Sequence, residues 1–108
     1  METEVNEELL IDVKLIIMSA TIENPVRSRV IESQLKIGGA EVREIIGVLR
    51  DRGVPVGSGS SGYWWARDYS ELESTLRHLE SRIRKESHHA KMLKRIYPEP
   101  VVQLALQL

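Results

Sequence analysis

Seven basic side chains lie between residues 27 and 67, against four acidic ones, and their chemistry suits phosphate. They are Arg27, Arg29, Lys36, Arg43, Arg50, Arg52 and Arg67. Guanidinium and ammonium groups bind phosphate oxygens, and an arginine also contacts a guanine edge through two hydrogen bonds. The first 23 residues have the opposite balance, six acids and one lysine. Because the whole chain has 15 basic and 16 acidic side chains, nucleic-acid binding must depend on local charge.

Other patterns that suggest chemistry are weaker. His88 and His89 are adjacent, and adjacent positions on a helix point about 100° apart, so the two imidazoles do not converge on one metal ion. The chain has no cysteine, which removes disulfides and thiolate metal sites. The GSGSSG run lacks the lysine of a phosphate loop and does not open a helix. No serine or carboxylate pair has a catalytic setting, so we expect no enzyme activity, no metal and no cofactor.

A helix beginning at Gly39 is predicted to position Arg43. Its apolar residues follow the i, i+3, i+4, i+7 spacing of one helix face, at Val42, Ile45, Ile46 and Leu49. Gly53 stands where a helix with a left-handed final residue places glycine, so the helix should end there. Arg43 lies off the apolar stripe near the amino-terminal end, where base contacts in a major groove usually arise.

Two further helices are predicted before this one. The first runs over residues 3–20, and the second runs over residues 29–35 with Ser28 as its N-cap. Residues 25–27 between them are predicted to form a short edge strand. Residues 36–39, KIGG, form the next turn, where two glycines suit a sharp change of direction.

A hairpin is predicted after Gly53. Residues 54–56 are too few and too β-branched for a helix, and they pair with residues 63–66 across a GSGSSG tip. Strand alternation puts two pairs of side chains on opposite faces, Tyr63 with Trp65 and Trp64 with Ala66. One pair should fill the gap between hairpin and helices, because the chain has no phenylalanine. The alternative is an exposed tryptophan that stacks on a sugar or on a partner surface.

The run VREIIGVLRDRGVPVGSGSSGYWWA, residues 42–66, resembles the winged-helix domains of phage and prophage regulators and of the biotin operon repressor. In that family a V-R…L-R-x-x-G-x-x-I segment leads into a glycine-containing wing followed by G-Y. The resemblance extends from residue 5 to residue 67. It implies a mostly α fold with a small β-hairpin wing, an α+β winged helix-turn-helix, in which the segment from Gly39 to Leu49 enters a major groove. Because winged helices also serve as protein-docking modules, the fold alone does not establish DNA binding.

Candidate DNA contacts follow from this arrangement. On the helix they are Ala40, Glu41, Arg43 and Glu44, before it Arg27, Arg29 and Lys36, and in the wing Ser58, Ser60 and Ser61. We expect Arg43 to contact a base and the other basic residues and serines to contact phosphates. Glu41 and Glu44 would be repelled by phosphates, although a glutamate accepts from a cytosine amine. The alternative for the arginines is a solvated helix face with i, i+4 ion pairs.

A long helix is predicted from Glu71 to Ile96, opened by Ser70 and Glu73 as a capping box. Its seam alternates by four and three residues, through Leu72, Leu76, Leu79, Ile83, Glu86, Ala90, Leu93 and Tyr97. The glutamate and the alanine argue against a long stable coiled coil. We expect the first turns to pack on the domain, and the rest to pair with a second copy as a homodimer or to extend into solvent. The predicted organisation is a winged-helix domain over residues 1–68, this helix over 69–97 and an extended tail over 98–108.

The last six residues, QLALQL, resemble the bacterial sliding-clamp-binding hexapeptide, whose pattern is Q-L-x-L-x-L or Q-x-x-L-x-F. The resemblance assigns Gln103 to a small polar pocket of the clamp and Leu106 and Leu108 to an apolar one, with Leu104 as the second motif position. A leucine stands last, where many members have phenylalanine. The alternative is an apolar tail that packs on its own domain or on a dimer mate.

Two functions remain open from the sequence. One is a small phage-type DNA-binding protein in transcription regulation or DNA replication. The other is a non-enzymatic adaptor that docks on replication proteins, with the tail on the sliding clamp. For both we expect a cytoplasmic protein, because no apolar run approaches the ~20 residues of a membrane span and the acidic amino terminus does not resemble a signal peptide.

The clamp motif gives a first testable prediction. Leu106→Ala should weaken binding of the chain to an immobilised bacterial sliding clamp, because it removes a side chain assigned to the apolar pocket. Surface plasmon resonance measures the affinity, and Val101→Ala outside the hexapeptide is the control. Equal binding by the Leu106→Ala variant and the parent chain would exclude the clamp role.

Overall fold

Local hydrogen bonds set where the first helices begin and end in the computed structural model, which describes residues 6–98 and Pro100. Helix α1 spans Glu7–Met18, and the Asn6 side chain caps it by accepting from the N–H groups of Glu8 and Leu9 at 2.8 and 3.3 Å. Helix α2 spans Ser28–Leu35 and helix α3 spans Gly39–Asp51. Residues 3–5 of the predicted first helix lie outside the described residues.

The predicted N-cap role of Ser28 is wrong. Arg27 occupies the cap position of α2 in an extended conformation, and Ser28 is the first residue of the helix. The Ser28 hydroxyl donates to Glu32 Oε2 at 2.7 Å, one turn along. The Ser28 side chain is therefore one residue past the position from which it could cap the helix.

The turn between α2 and α3 depends on a lysine in its sharpest position. Lys36 has a φ of 56° and ends α2 in the left-handed conformation, whereas Gly38 is extended and Gly39 begins α3. Gly39 instead allows the Glu32 side chain of α2 to approach the start of α3, because a Cβ there would lie 3.2 Å from Glu32 Oε2. The prediction that the two glycines make the sharp turn is thus wrong about which residue bends the chain.

Helix α3 ends as predicted. Its last residue is Asp51, and Gly53 follows with a φ of 87°. The Val54 N–H donates to the Leu49 carbonyl at 2.9 Å, which pulls the chain back over the last turn. The four predicted apolar residues of α3 are all buried, namely Val42, Ile45, Ile46 and Leu49.

The hairpin consists of antiparallel strands β1 (Val56–Gly59) and β2 (Gly62–Trp65), with Val56 opposite Trp65 and Gly59 opposite Gly62. Only Ser60 and Ser61 remain for the turn, so the predicted six-residue tip is too long. The predicted edge strand is present as a single bridge, in which Val26 and Tyr63 exchange two backbone hydrogen bonds of 2.8 Å.

Buried side chains form two clusters. The first joins α1, α2, α3 and β1, and its members are Leu10, Val13, Ile17, Ile31, Val42, Ile45, Ile46, Leu49 and Val56. Tyr63 and Trp65 pack partly buried against it. The second contains Trp64, Ala20 and Ala66, and the Trp64 Nε1 group donates to the Glu71 carbonyl at 3.0 Å. Both faces of β2 therefore pack against apolar side chains. The prediction that one pair of hairpin side chains fills the gap to the helices is confirmed for Trp64.

The chain after β2 is capped by Asp68. Its side chain accepts from the Glu71 N–H at 3.2 Å and begins a 3₁₀ turn, Tyr69–Leu72, which continues into helix α4, Glu73–Ile96. The predicted capping role of Ser70 is wrong, because Ser70 lies inside the 3₁₀ turn, where its hydroxyl donates to Asp68 Oδ1 at 2.7 Å. Asp68 is suited to the cap position because its short carboxylate reaches N–H groups two and three residues ahead.

The fold class expected from the sequence, mostly helical with a small antiparallel hairpin and a long carboxy-terminal helix, is confirmed. The chain divides into two compact units, and the boundary falls between Leu76 and Arg77, inside α4. Within the described residues, none of the helices combines the length and hydrophobicity that a bilayer span requires.

Gly57 is predicted to be intolerant of a side chain. A Cβ at this position would overlap the Trp64 indole, whereas a Cβ at Gly59 on the same strand would lie 3.6 Å from that ring. We expect Gly57→Ala to lower the free energy of unfolding by about 1–3 kcal/mol, and Gly59→Ala to change it by less than about 0.5 kcal/mol. Urea denaturation of both variants measures the difference. Equal stabilities would show that the indole is not held against Gly57.

Glu71 predicts a pH dependence of stability. Hydrogen bonds from the Arg67 side chain, and then one from its backbone N–H, hold the pKa of the Glu71 carboxyl below its ordinary value. A carboxyl with a lowered folded-state pKa contributes stability above its unfolded pKa, and that contribution disappears as the pH falls through the folded value. The stability difference between the parent and Glu71→Gln should therefore be largest near about pH 7 and shrink below about pH 4. Denaturant titrations across pH test this, with Glu80→Gln as the control; a difference that stays constant would contradict it.

Candidate nucleic-acid interface

Helix α3 separates the core from a solvent face. Its buried stripe faces the first cluster, and Ala40, Glu41, Arg43 and Glu44 are exposed in its first two turns. Arg43 adjoins the turn before α3, since its Nη1 lies 3.6 Å from the position that a Cβ of Gly39 would take. Glu32 of α2 approaches the same point at 3.2 Å. The face predicted for groove contacts therefore borders α2.

The other predicted phosphate contacts lie around α2. Arg27 is its N-cap, Arg29 is in its first turn and Lys36 is its C-cap, and all three are exposed. Arg27 lines a depression between α1 and α2, and Arg29 lines a second one; the two share Val30 and Gln34 as lining residues. Among the described residues, none of the four cations Arg27, Arg29, Lys36 and Arg43 has a carboxylate within 4.0 Å.

The remaining three arginines of residues 27–67 bond to other groups of the protein. Arg52 forms two hydrogen bonds with the Glu7 carboxylate, at 3.0 and 2.8 Å, and they hold the pKa of that carboxyl below its ordinary value. Arg67 pairs with Glu71 and with Glu23. Of the seven basic residues counted between residues 27 and 67, four therefore remain as candidate phosphate contacts, namely Arg27, Arg29, Lys36 and Arg43.

Arg50 has a structural position that the sequence did not reveal. Its Nε donates to the Val56 carbonyl and its Nη2 donates to Ser58 Oγ, both at 3.0 Å. Burial lowers the pKa of this guanidinium from its ordinary value. Arg50 thus ties α3 to β1, and it is not available as a surface cation.

The three wing serines differ in accessibility. Ser58 lies within β1, where its hydroxyl accepts from Arg50 and its backbone exchanges hydrogen bonds with the Thr75 hydroxyl. Ser60 and Ser61 form the exposed turn between the strands. Of the predicted wing contacts, Ser60 and Ser61 are therefore at the tip and Ser58 is not.

Two surface features were not identified from the sequence. Ile11, Leu15 and Met18 form an exposed apolar stripe on α1, each more than half exposed. From residue 77 to residue 95, the chain has seven basic side chains and two acidic ones. A count of charge by segment would have found the second feature, whereas the first needed the packing of α1 to show which of its many apolar residues stay outside.

His88 and His89 lie on α4 with ring centroids 6.0 Å apart. In the part of the chain that the structure describes, no group of three or more histidine, aspartate or glutamate side chains is placed to hold a metal ion.

The predicted clamp-binding residues Gln103, Leu104, Leu106 and Leu108 lie outside the described residues.

Comparison of the chain with protein-family models, with curated proteins and with solved structures finds no match.

Proposed function

We propose that this chain is a small DNA-binding protein of the winged helix-turn-helix type, acting in transcription regulation or DNA replication. In this proposal α3 lies in the major groove, Arg43 contacts a base edge, and the cations around α2 contact phosphates on the flanking backbone. Ser60 and Ser61 at the hairpin turn donate to a further phosphate.

The observation that carries the proposal is the two-sided character of α3. Its apolar stripe is buried in the core, so the helix is held rigidly while Arg43 stays exposed near its amino-terminal end. A base-contacting side chain needs this combination, because discrimination between bases depends on a fixed helix. Arg27, Arg29 and Lys36 add exposed positive charge on the neighbouring helix.

The acidic residues of α3 define what kind of binding to expect. Glu41 and Glu44 are exposed beside Arg43, and they oppose contact with phosphates. Affinity for arbitrary DNA through α3 should therefore be low. A cytosine amine opposite one of the glutamates would turn that repulsion into discrimination between sequences.

A second candidate function is the non-enzymatic adaptor, and the α1 stripe favours it. Ile11, Leu15 and Met18 are separated by one turn each and are 53–58% exposed. Three apolar side chains in a row on one exposed face are typical of a surface that meets another protein. In this function the tail would engage the clamp, and α3 would not contact DNA.

The DNA-binding proposal predicts a specific loss on changing Arg43. A preferred duplex is first selected from random sequence with the parent chain, and fluorescence anisotropy then measures affinity. Arg43→Gln should weaken binding to that duplex about 5- to 150-fold, the range for a lost two-bond base contact. Arg52→Gln is the matched control, because it removes the same charge from an exposed arginine that is paired with Glu7.

Salt dependence separates the roles of the cations. Arg29→Gln should lower the slope of log affinity against log salt by about 0.9, as expected for one lost phosphate contact, and weaken all duplexes alike. Equal losses for Arg43→Gln and Arg52→Gln would overturn the proposal for α3. Failure to select any duplex would also overturn it and favour the adaptor.

A further inference from the structure

Helix α4 is basic over the length that follows residue 76. Between Arg77 and Arg95 it has seven arginine or lysine side chains and only two acids, Glu80 and Glu86. Every residue from Arg82 to Ile96 is exposed. Among the described residues, no carboxylate lies within 4.0 Å of any of these seven cations. This part of the helix therefore presents to solvent an excess of positive charge without close ion pairs.

Four of the cations share one line along the helix. Arg77, Arg84 and Lys91 are separated by seven residues each, and Arg95 follows Lys91 by four. At about 100° per residue these four side chains fall within an arc of about 40°, and they span about 27 Å along the axis. We call this set the basic stripe. Glu86 lies on the opposite side of the helix, whereas Glu80 lies about 20° from the edge of the stripe, between Arg77 and Arg84. His88 and Ser81 lie beside the stripe as further hydrogen-bonding groups.

We propose that the basic stripe is a second nucleic-acid site, which binds the phosphodiester backbone of duplex DNA without regard to sequence. A line of exposed arginines and lysines matches a line of phosphates, and each contact releases condensed counterions. The segment from Arg77 to Ile96 contains no asparagine or glutamine, the side chains that pair with adenine edges. The inference rests on the proposed function only for the choice of duplex DNA as ligand; it does not require α3 to contact bases.

The exposed apolar residues of α4 argue against a lipid surface as the ligand. Ile83 and Leu93 lie on one side of the helix, whereas Met92 and Ile96 lie about 60–180° away from them. A helix that lies in a membrane interface needs one continuous apolar face opposite its cations. The half of α4 that has these four residues also has Arg82, whose charge interrupts the apolar face, so the helix fits a phosphate backbone better than a bilayer.

Two triple variants of the full chain test the stripe. Arg84→Gln with Lys91→Gln and Arg95→Gln removes three of its four charges, and Arg82→Gln with Lys85→Gln and Lys94→Gln removes the same charge from other faces of the same helix. Glutamine has nearly the same helix propensity as arginine and lysine, so both variants should keep α4, which circular dichroism checks. Anisotropy with a duplex of arbitrary sequence is measured over a salt series.

The stripe variant should weaken binding to every duplex and lower the slope of log affinity against log salt by about 2.7, the value for three lost phosphate contacts. The off-stripe variant should lower the slope by less than about 1. Equal losses in both variants, or none in either, would overturn the proposal. Co-sedimentation of the parent chain with vesicles containing phosphatidylserine, without affinity for the duplex, would overturn it in favour of a lipid ligand.

The same measurements separate this proposal from the one for α3. Arg43→Gln should abolish preference for the selected duplex while leaving the salt slope on arbitrary duplexes within about 1 of the parent value. The stripe variant should do the reverse, keeping the preference and losing the slope. Failure of one proposal therefore does not look like failure of the other.

Discussion

The Trp64 indole is the contact on which the arrangement of the amino-terminal unit depends. It lies against Gly57 on the neighbouring strand, packs on Ala20 just after α1, and donates to the Glu71 carbonyl at 3.0 Å. Both flanks of the hairpin and the residue that follows α1 therefore meet at one ring. Glu71 in turn accepts the Arg67 N–H, so the end of the hairpin and the start of the 3₁₀ turn are tied through the same residue.

Charge in this chain is divided between structure and surface. Arg50 bonds to β1, Arg52 pairs with α1, and Arg67 pairs with the turn before α4. These bonds connect the elements around α3. The other cations of the described residues lie around α2, at the start of α3, along α4 and, for Lys14, on α1. The two proposed DNA contacts therefore use different charges for different purposes, with base discrimination assigned to α3 and sequence-independent affinity to α4.

What could be predicted from the sequence was what short-range rules determine. The buried stripe of α3 and the left-handed Gly53 follow from periodicity and from the backbone freedom of glycine, and both are confirmed. The caps were mistaken because both helical turns begin earlier than the sequence predicted. Ser28 and Ser70 lie inside these turns, and their hydroxyls donate to the carboxylates of Glu32 and Asp68.

The same limit applies to the candidate site. Exposure of Arg43 followed from its position off the apolar stripe, but the internal roles of Arg50 and Ser58 did not, since they depend on where β1 lies against α3 and against Thr75. The turn predicted between the two hairpin strands was too long for a related reason. Glycine and serine are typical of loops, and only the contact with the Trp64 ring explains why Gly57 belongs to a strand.

The Thr75 hydroxyl also closes the open side of the hairpin. It accepts from the Ser58 N–H at 2.9 Å and donates to the Ser58 carbonyl at 3.0 Å, which are the two bonds that a third strand would make at that residue. A side chain thus stands in for a neighbouring strand. An unpaired strand edge is a template for adding strands from other molecules. One hydroxyl on the first turn of α4 therefore opposes aggregation through β1.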